Sequence, residues 1–266
     1  MSGVGRGRAL VHALLALAVG AASYVLAVHT TFGQRAEQNV LGASEFSLDS
    51  SPLLRLVSTP NLAIALVILG AVAWMFRGFS RALWIVLFGA AAVLASQLLK
   101  HQWLIRPSLM DFDAPNTFPS GHMTVFTVVV AGLIWAVPAS VRGVVAIGGA
   151  GLLGAVSWQL LSFGWHRPSD VLGALALGVL AFALAAALRL PYRGHTIRMP
   201  RGGATALNKV LGALLTVAGW ALVIGGLVLL AVAGSMHSGS LLLGGSEIAL
   251  VGASAIAARS LMTLGA

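Results

Sequence analysis

The sequence predicts an all-α fold, a polytopic bundle of about eight membrane helices. Three observations carry that prediction. The chain is 58% hydrophobic and only 9% charged, with a mean hydropathy of +0.94, whereas a soluble domain carries roughly 25% charged residues. Its apolar residues gather in stretches of about 20, the length that crosses a hydrocarbon core as a helix. The breaks between them hold turn residues and charges, as in "RGFSR" at 77–81 and "VPASVRG" at 137–143.

The first span is expected over 9–30. Arg6 and Arg8 precede it as in a signal peptide. The apolar run exceeds the roughly 7–15 residues of such a leader, so an uncleaved helix is expected. The segment 34–57 is partly amphipathic and reads equally as a helix on the membrane surface or as a solvated loop. Four spans follow at 58–76, 82–100, 121–138 and 143–165, and "HRPSD" at 166–170 leads into a sixth at 169–188. The fifth carries Gly143, Ala146, Ala150, Gly154 and Ser157 at helical spacing, a stripe that lets membrane helices approach closely. The basic segment 189–203 is the clearest internal boundary, and 208–233 and 244–263 read as an added hairpin. The expected organisation is a core over 1–190, a basic linker over 191–207 and a hairpin over 208–266.

Orientation follows from Lys and Arg in the short loops. With the N-terminus inside, ten basic residues fall inside and five outside, while all seven carboxylates fall outside. The C-terminus is then inside as well. The net charge of +9 is thus mainly a topology signal facing anionic inner-leaflet lipid, and no nucleic-acid partner is needed to explain it. The chain has no cysteine, which excludes disulfides and thiolate metal sites.

Three polar clusters then share the outer face. They are Lys100 with Arg106-Pro107, Pro119-Ser120-Gly121-His122, and His166-Arg167-Pro168-Ser169-Asp170. Ser120 is a good N-cap, and Gly121 adds no side chain to block a ligand. Free N–H groups in the first turn favour an anion. Lys100 and Arg106 add full charges, the latter with a fork that matches phosphate. His166 and Asp170 are four apart across a helix start, so the aspartate can accept from one ring nitrogen and leave the other as an oriented nucleophile. His122 then suits general acid work. The set reads as phosphoryl transfer: His166 attacks phosphorus and His122 protonates the leaving oxygen. Lys100, Arg106, Ser120, Gly121 and nearby backbone N–H groups hold the phosphoryl oxygens. Neither a metal nor another cofactor is required, because fixed cations and the helix dipole neutralise the phosphate.

The remaining polar residues read as structural. His12, His29 and His101 lie near span ends, His195 falls on the inner face, and His237 lies in the hairpin loop. Asp111 and Asp113 read as solvated loop acids. Trp103, Trp158 and Trp165 fit an aromatic belt, and Trp103 and Trp165 stand where a lipid would enter.

In these residues the chain resembles the type 2 phosphatidic acid phosphatase superfamily, which shares motifs with vanadium haloperoxidases and with bacterial undecaprenyl pyrophosphate phosphatases. The motifs appear in the family's order, as Lys100…Arg106-Pro107, Pro119-Ser120-Gly121-His122 and His166-x-x-x-Asp170. The resemblance implies a six-helix core, His166 as nucleophile, His122 as acid and base, and a lipid phosphate or pyrophosphate substrate. There are two departures. Five residues separate Lys100 from Arg106, where the family usually has six. The family's Ser-Arg pair falls here on Gln159 and Leu160, so one phosphate-binding arginine is missing, and Arg167 is the candidate substitute. Fourteen Arg against two Lys, with abundant Ala and Gly, suggest a bacterial source. A polyprenyl phosphate carrier of envelope synthesis is then the expected substrate, with phosphatidate or phosphatidylglycerophosphate as the nearest alternative. A catalytically weak relative, acting as a lipid-phosphate-binding, transport or partner subunit, is the reading of another class.

Overall fold

The structure is a computed structural model that describes residues 5–46, 51–110, 115–188 and 202–265. Asp111, Asp113 and His195 lie outside the described residues. The described residues form helices and no strands. In chain order these are α1 (Arg6–Ser23, continued by a π-helical turn Tyr24–Val28), α2 (Thr31–Gly42), α3 (Pro52–Arg55), α4 (Thr59–Arg77), α5 (Phe79–Leu98, continued by a π-helical turn Leu99–Trp103), α6 (Gly121–Ala136), α7 (Arg142–Ser162), α8 (Pro168–Leu188), α9 (Gly202–Met236) and α10 (Gly239–Leu264).

Seven of these helices are long and apolar enough to cross a membrane, and α6 is a shorter apolar helix. All eight predicted spans therefore exist as helices, but the fourth differs in kind. With 16 residues, α6 is about 24 Å long, short of the roughly 30 Å hydrocarbon core. It packs against α4, α5, α7 and α8, and most of its residues, from Met123 to Ala136, are buried. A helix enclosed by protein need not match the lipid thickness, and Pro138 follows its end.

Beside α6 stands α8, which packs against α1, α5, α6 and α10. The two helices approach closely at Gly178, where a Cβ would lie 2.3 Å from Thr127 Cγ2. Lipid takes the other role in this fold. Leu14, Ile64, Val67, Leu87, Val217 and Val228 are exposed on the outer helices α1, α4, α5 and α9, as expected where hydrocarbon is the solvent.

The small-residue stripe of α7 meets the C-terminal hairpin. Gly143 approaches Asn208 and Leu211, Gly154 approaches Val251, and Ser157 Oγ lies 3.1 Å from Ser254 Oγ. Asn208 also accepts from the Gly143 N–H at 2.9 Å, which serves one of the unsatisfied donors at the start of α7. Further along, α10 packs on α7 and α8. Arg81 holds its last turn by donating to the Gly265 carbonyl at 2.5 Å while lying 4.8 Å over the Trp135 ring.

The segment after α1 resolves as a helix rather than a loop. Thr30 caps α2 by accepting from the Gly33 N–H at 2.9 Å. The chain turns back so tightly that a Cβ on Gly33 would lie 2.0 Å from the Leu26 carbonyl oxygen. One face of α2 buries Gln34, Glu37 and Val40. It thereby brings two polar side chains to the end of the bundle where α5 stops and α6 and α8 start.

Candidate functional site

The three predicted clusters meet at that end. Each is held by a local device. Ser120 caps α6 as expected, its Oγ accepting from the Met123 N–H at 3.3 Å, and its own N–H donates to the Asp170 carbonyl at 2.9 Å. Ser120 is fully buried, so its oxygen serves the cap. The cap leaves the N–H groups of Gly121 and His122 without an intrahelical acceptor. Gly121 stays narrow, since a Cβ there would lie 3.1 Å from Gln97 Nε2.

His166 arrives through a glycine turn. Gly164 takes φ +66°, the left-handed conformation that commonly ends a helix. The N–H groups of Trp165 and His166 then both reach the Leu160 carbonyl at 3.1 Å. Pro168 opens α8, where its missing N–H costs nothing. Asp170 is fully buried, and its Oδ2 accepts from His166 Nδ1 at 3.1 Å, the Arg167 N–H at 3.0 Å and Thr117 Oγ1 at 2.6 Å. With Nδ1 donating to the carboxylate, the lone pair of His166 lies on Nε2. The His122 ring stands across from it, centroids 6.3 Å apart, with Trp165 edge-on to His122 at 5.7 Å. One phosphoryl group between these rings could touch both.

The cations surround this pair. Lys100 lies on the π-helical turn that ends α5 and acts electrostatically on His122. Arg106 and Arg167 are close enough to repel, and Arg106 is also attracted by the Glu37 and Asp170 carboxylates. The Arg167 side chain is buried and donates through Nη1 to Thr117 Oγ1 at 2.9 Å. Arg106 Nη1 lies 3.6 Å from Glu37 Oε2 with both side chains 6% exposed. Arg106 Nη1 thus already faces an anion, whereas Arg167 Nε is buried and has no hydrogen-bond partner among the described residues. A buried guanidinium N–H left this way is costly unless an anion meets it. Burial, and next the Arg167 charge, hold the Arg106 guanidinium below its ordinary range, while Glu37 and Asp170 oppose that shift. Glu37 is pushed up by burial and by the Asp170 charge, against its contacts with Ser169 and Arg106.

Position 160 explains the missing arginine in part. Leu160 is fully buried, and its contribution is the carbonyl that anchors His166. Gln159 turns to the segment before α3 and accepts from Ser51 Oγ at 2.7 Å. Neither carries charge to the site.

Several residues here escaped sequence reasoning. Tyr24 donates to the Ile105 carbonyl at 2.7 Å and accepts from the Ile105 N–H at 3.0 Å. Gln34 donates to the Pro107 carbonyl at 2.7 Å. Asn116 donates to the carbonyls of Lys100 and Leu104 at 3.2 and 3.0 Å. Glu37 accepts from the Ser169 N–H at 3.0 Å. Together they pin the segment that carries Lys100 and Arg106. For Gln34, Glu37 and Asn116 the only trace in the sequence is polarity in segments expected outside the spans, and Tyr24 falls inside the expected first span. Of the remaining histidines, His29 packs edge-on against Tyr24 at 4.7 Å, and His101 and His237 are exposed.

Comparison with known proteins places this cluster in context. Residues 98–194 match the family model described as the PAP2 superfamily, a range that includes all seven predicted site residues. No curated protein matches the chain. Among solved structures, the chain is similar to the crystal structure of the first transmembrane PAP2 type phosphatidylglycerolphosphate phosphatase from Bacillus subtilis. The similarity has 24% sequence identity and a TM-score of 0.48, and covers 67% of this chain and 94% of that one.

Proposed function

For this multi-pass helical chain, whose residues 98–194 carry the PAP2 superfamily match, we propose hydrolysis of a membrane lipid phosphate through a phosphohistidine. One observation carries the reading: His166, bound through Nδ1 to Asp170, faces His122 across 6.3 Å. The unpartnered Nε of Arg167 and the Arg106 guanidinium, paired with Glu37, belong to the same cluster.

Nε2 of His166 attacks phosphorus, and the bond from phosphorus to the lipid oxygen breaks. His122 gives its proton to that oxygen. Water then attacks phosphorus as His122 takes its proton, the phosphorus–nitrogen bond breaks and phosphate leaves. Asp170 keeps the proton on Nδ1 and offsets the charge that develops on the ring. Lys100, Arg106 and the N–H groups of Gly121 and His122 hold the phosphoryl oxygens, and Ser120 serves by fixing that helix start. Arg167 takes the place of the family's missing arginine. These fixed donors supply the neutralisation, so turnover is proposed to proceed without added metal.

The site faces outward under the positive-inside orientation, with both termini inside. A polyprenyl phosphate or pyrophosphate of a bacterial envelope remains the proposed substrate. The core over 1–190 carries the chemistry, and the hairpin over 208–266 buttresses it through α7.

Purified protein in detergent should release phosphate from polyprenyl phosphates and pyrophosphates, and His166→Ala should abolish it. Equal slow release by both proteins would sink the enzyme reading and favour a lipid-binding subunit. Because the chain has no cysteine, Ser108→Cys gives a single label. It should react with an impermeant reagent from outside intact cells, and labelling from the cytoplasm alone would reverse the orientation.

A further inference from the structure

A second polar cluster lies at the opposite end of the bundle, outside the motifs. A groove of about 350 Å³ opens between the first turns of α1, the middle of α9 and the last turns of α10. Arg8, His12, Thr216, Trp220, Arg259 and Thr263 line it. It is well separated from His122 and His166. The Tyr24 end of α1 packs against Phe118 beside that site, and Arg8 is at the other end of the same helix.

The groove is strongly positive. Its described lining includes two guanidiniums and an imidazole and no carboxylate. Among the described residues the side-chain carboxylates are Glu37, Glu45, Asp170 and Glu247, and none of them lines the groove. Its donors are held in place. Arg259 donates through Nη1 to Thr263 Oγ1. Its Nε is buried, without a hydrogen-bond partner among the described residues, and Gly212 lets it approach, since a Cβ there would lie 3.0 Å away. His12 donates through Nδ1 to the Arg8 carbonyl at 2.9 Å. Like charges converging at a membrane boundary are unfavourable unless an anion lies between them.

The surroundings say which anion. Exposed apolar residues of α1 and α9 flank the groove. Val11 and Leu15 of α1 and Val217 and Ile224 of α9 are all more than half exposed, as is Trp220 at 53%. Basic pockets between membrane helices suit anionic headgroups. Inorganic phosphate shares the headgroup chemistry but makes no use of the apolar faces.

We propose that the groove among Arg8, His12, Trp220 and Arg259 binds the headgroup of an anionic membrane phospholipid, its acyl chains lying along α1 and α9. The site is independent of the phosphatase chemistry. Under the proposed orientation it sits in the cytoplasmic leaflet, whose anionic lipids attract such basic groups.

The test is lipid binding by native mass spectrometry on the purified full chain. Phosphatidylglycerol is titrated against phosphatidylcholine of the same acyl chains, with inorganic phosphate as competitor. Phosphatidylglycerol should bind the wild type about tenfold more tightly than phosphatidylcholine, the scale of one charged contact. The double variant Arg8→Gln, Arg259→Gln should lose that preference, and Arg8→Lys, Arg259→Lys should keep most of it. Equal binding of both lipids to the wild type overturns the proposal, as does unchanged phosphatidylglycerol binding in the double Gln variant. Displacement of the lipid by millimolar inorganic phosphate would make this a soluble-phosphate site and overturns the lipid assignment. Arg259 is partly buried and its loss can disturb folding. Arg8 is exposed, so Arg8→Gln alone should weaken phosphatidylglycerol binding with an unchanged thermal transition, and undiminished binding in that variant also counts against the site.

Discussion

Glu37 Oε2 lies 3.6 Å from Arg106 Nη1, and both side chains are 6% exposed. The other carboxylate oxygen accepts from the Ser169 N–H at 3.0 Å. One side chain of α2 therefore joins the arginine of the first motif to the start of the helix that carries Asp170. A buried pair of this kind is weak evidence for stability, because desolvation can exceed the Coulomb attraction. Its clearer effect is positional: it fixes where the guanidinium points.

The Glu37 carboxyl, raised by burial and the Asp170 charge, gives a pH test. A carboxyl whose folded pKa lies above its unfolded value binds its proton more tightly in the folded chain. Its ionisation therefore costs stability as pH rises from about 4.5, the ordinary value, through the raised one. Glu37→Gln should flatten that part of the profile, so its melting temperature gains on wild type as pH rises through the window. Glu37→Ala should be less stable than Glu37→Gln by roughly 1–3 kcal/mol, since the Ser169 N–H then loses its acceptor. Thermal unfolding in detergent across pH reads both. Parallel wild-type and Gln profiles would remove Glu37 as a titrating group.

The two histidines should separate by leaving group. An aryl phosphate leaves without protonation, so His122→Ala should still phosphorylate His166 but hydrolyse the product slowly. Acid-labile phosphate should therefore accumulate on this variant and be absent from the variant that also carries His166→Ala. With an alkyl lipid phosphate, His122→Ala should lose roughly 10²–10⁴-fold in rate, the range for general acid–base catalysis. Labelling that persists without His166 would move the nucleophile elsewhere.

Arg167 should behave as a phosphate ligand. Removing one charged hydrogen bond costs roughly 1.5–3 kcal/mol, which is about 10–150-fold in kcat/KM. Arg167→Gln should lose that much, and Arg167→Lys should recover part, because an ammonium keeps the charge without the fork. Adding Leu160→Arg to Arg167→Gln should not restore activity, since position 160 is fully buried and a charge there is costly. Full activity in Arg167→Gln would leave the family's missing arginine without a substitute.

Gly173, one turn along α8 from Asp170, packs against the Phe118 ring. A Cβ at this position would lie 2.3 Å from the Phe118 ring, and Phe118 leads directly into Pro119-Ser120-Gly121-His122. Gly173→Ala should displace the ring, costing roughly 1–3 kcal/mol of stability as an overpacked core does, and should lower kcat through His122. Gly148 has open space at its Cβ position, so Gly148→Ala is the matched control and should leave both unchanged. Kinetics and thermal unfolding on the two variants make the comparison.

Much of this protein was legible along the chain. Hydrophobic length located every apolar helix, because a bilayer imposes its thickness on each one separately. Ser120 as a cap, the small-residue stripe of α7, and His166 with Asp170 four residues later were legible too, since capping and helical spacing are local rules. What was not legible depends on contacts between distant segments. α6 is shorter than a span because its neighbours, not lipid, surround it. Tyr24, Gln34, Glu37, Asn116 and Thr117 hold the site through partners far away in sequence. Tyr24 falls inside the expected first span, and nothing local distinguishes the other four from polar residues expected outside the spans. The same holds for Arg167: its type was visible beside the motif, but its direction was set only when Thr117 and Asp170 closed around it. By itself the sequence determined the solvent, the helices and the reactive residue types. Tertiary structure decided which charges are buried together, because burial and pairing belong to the packed helices and not to any one segment.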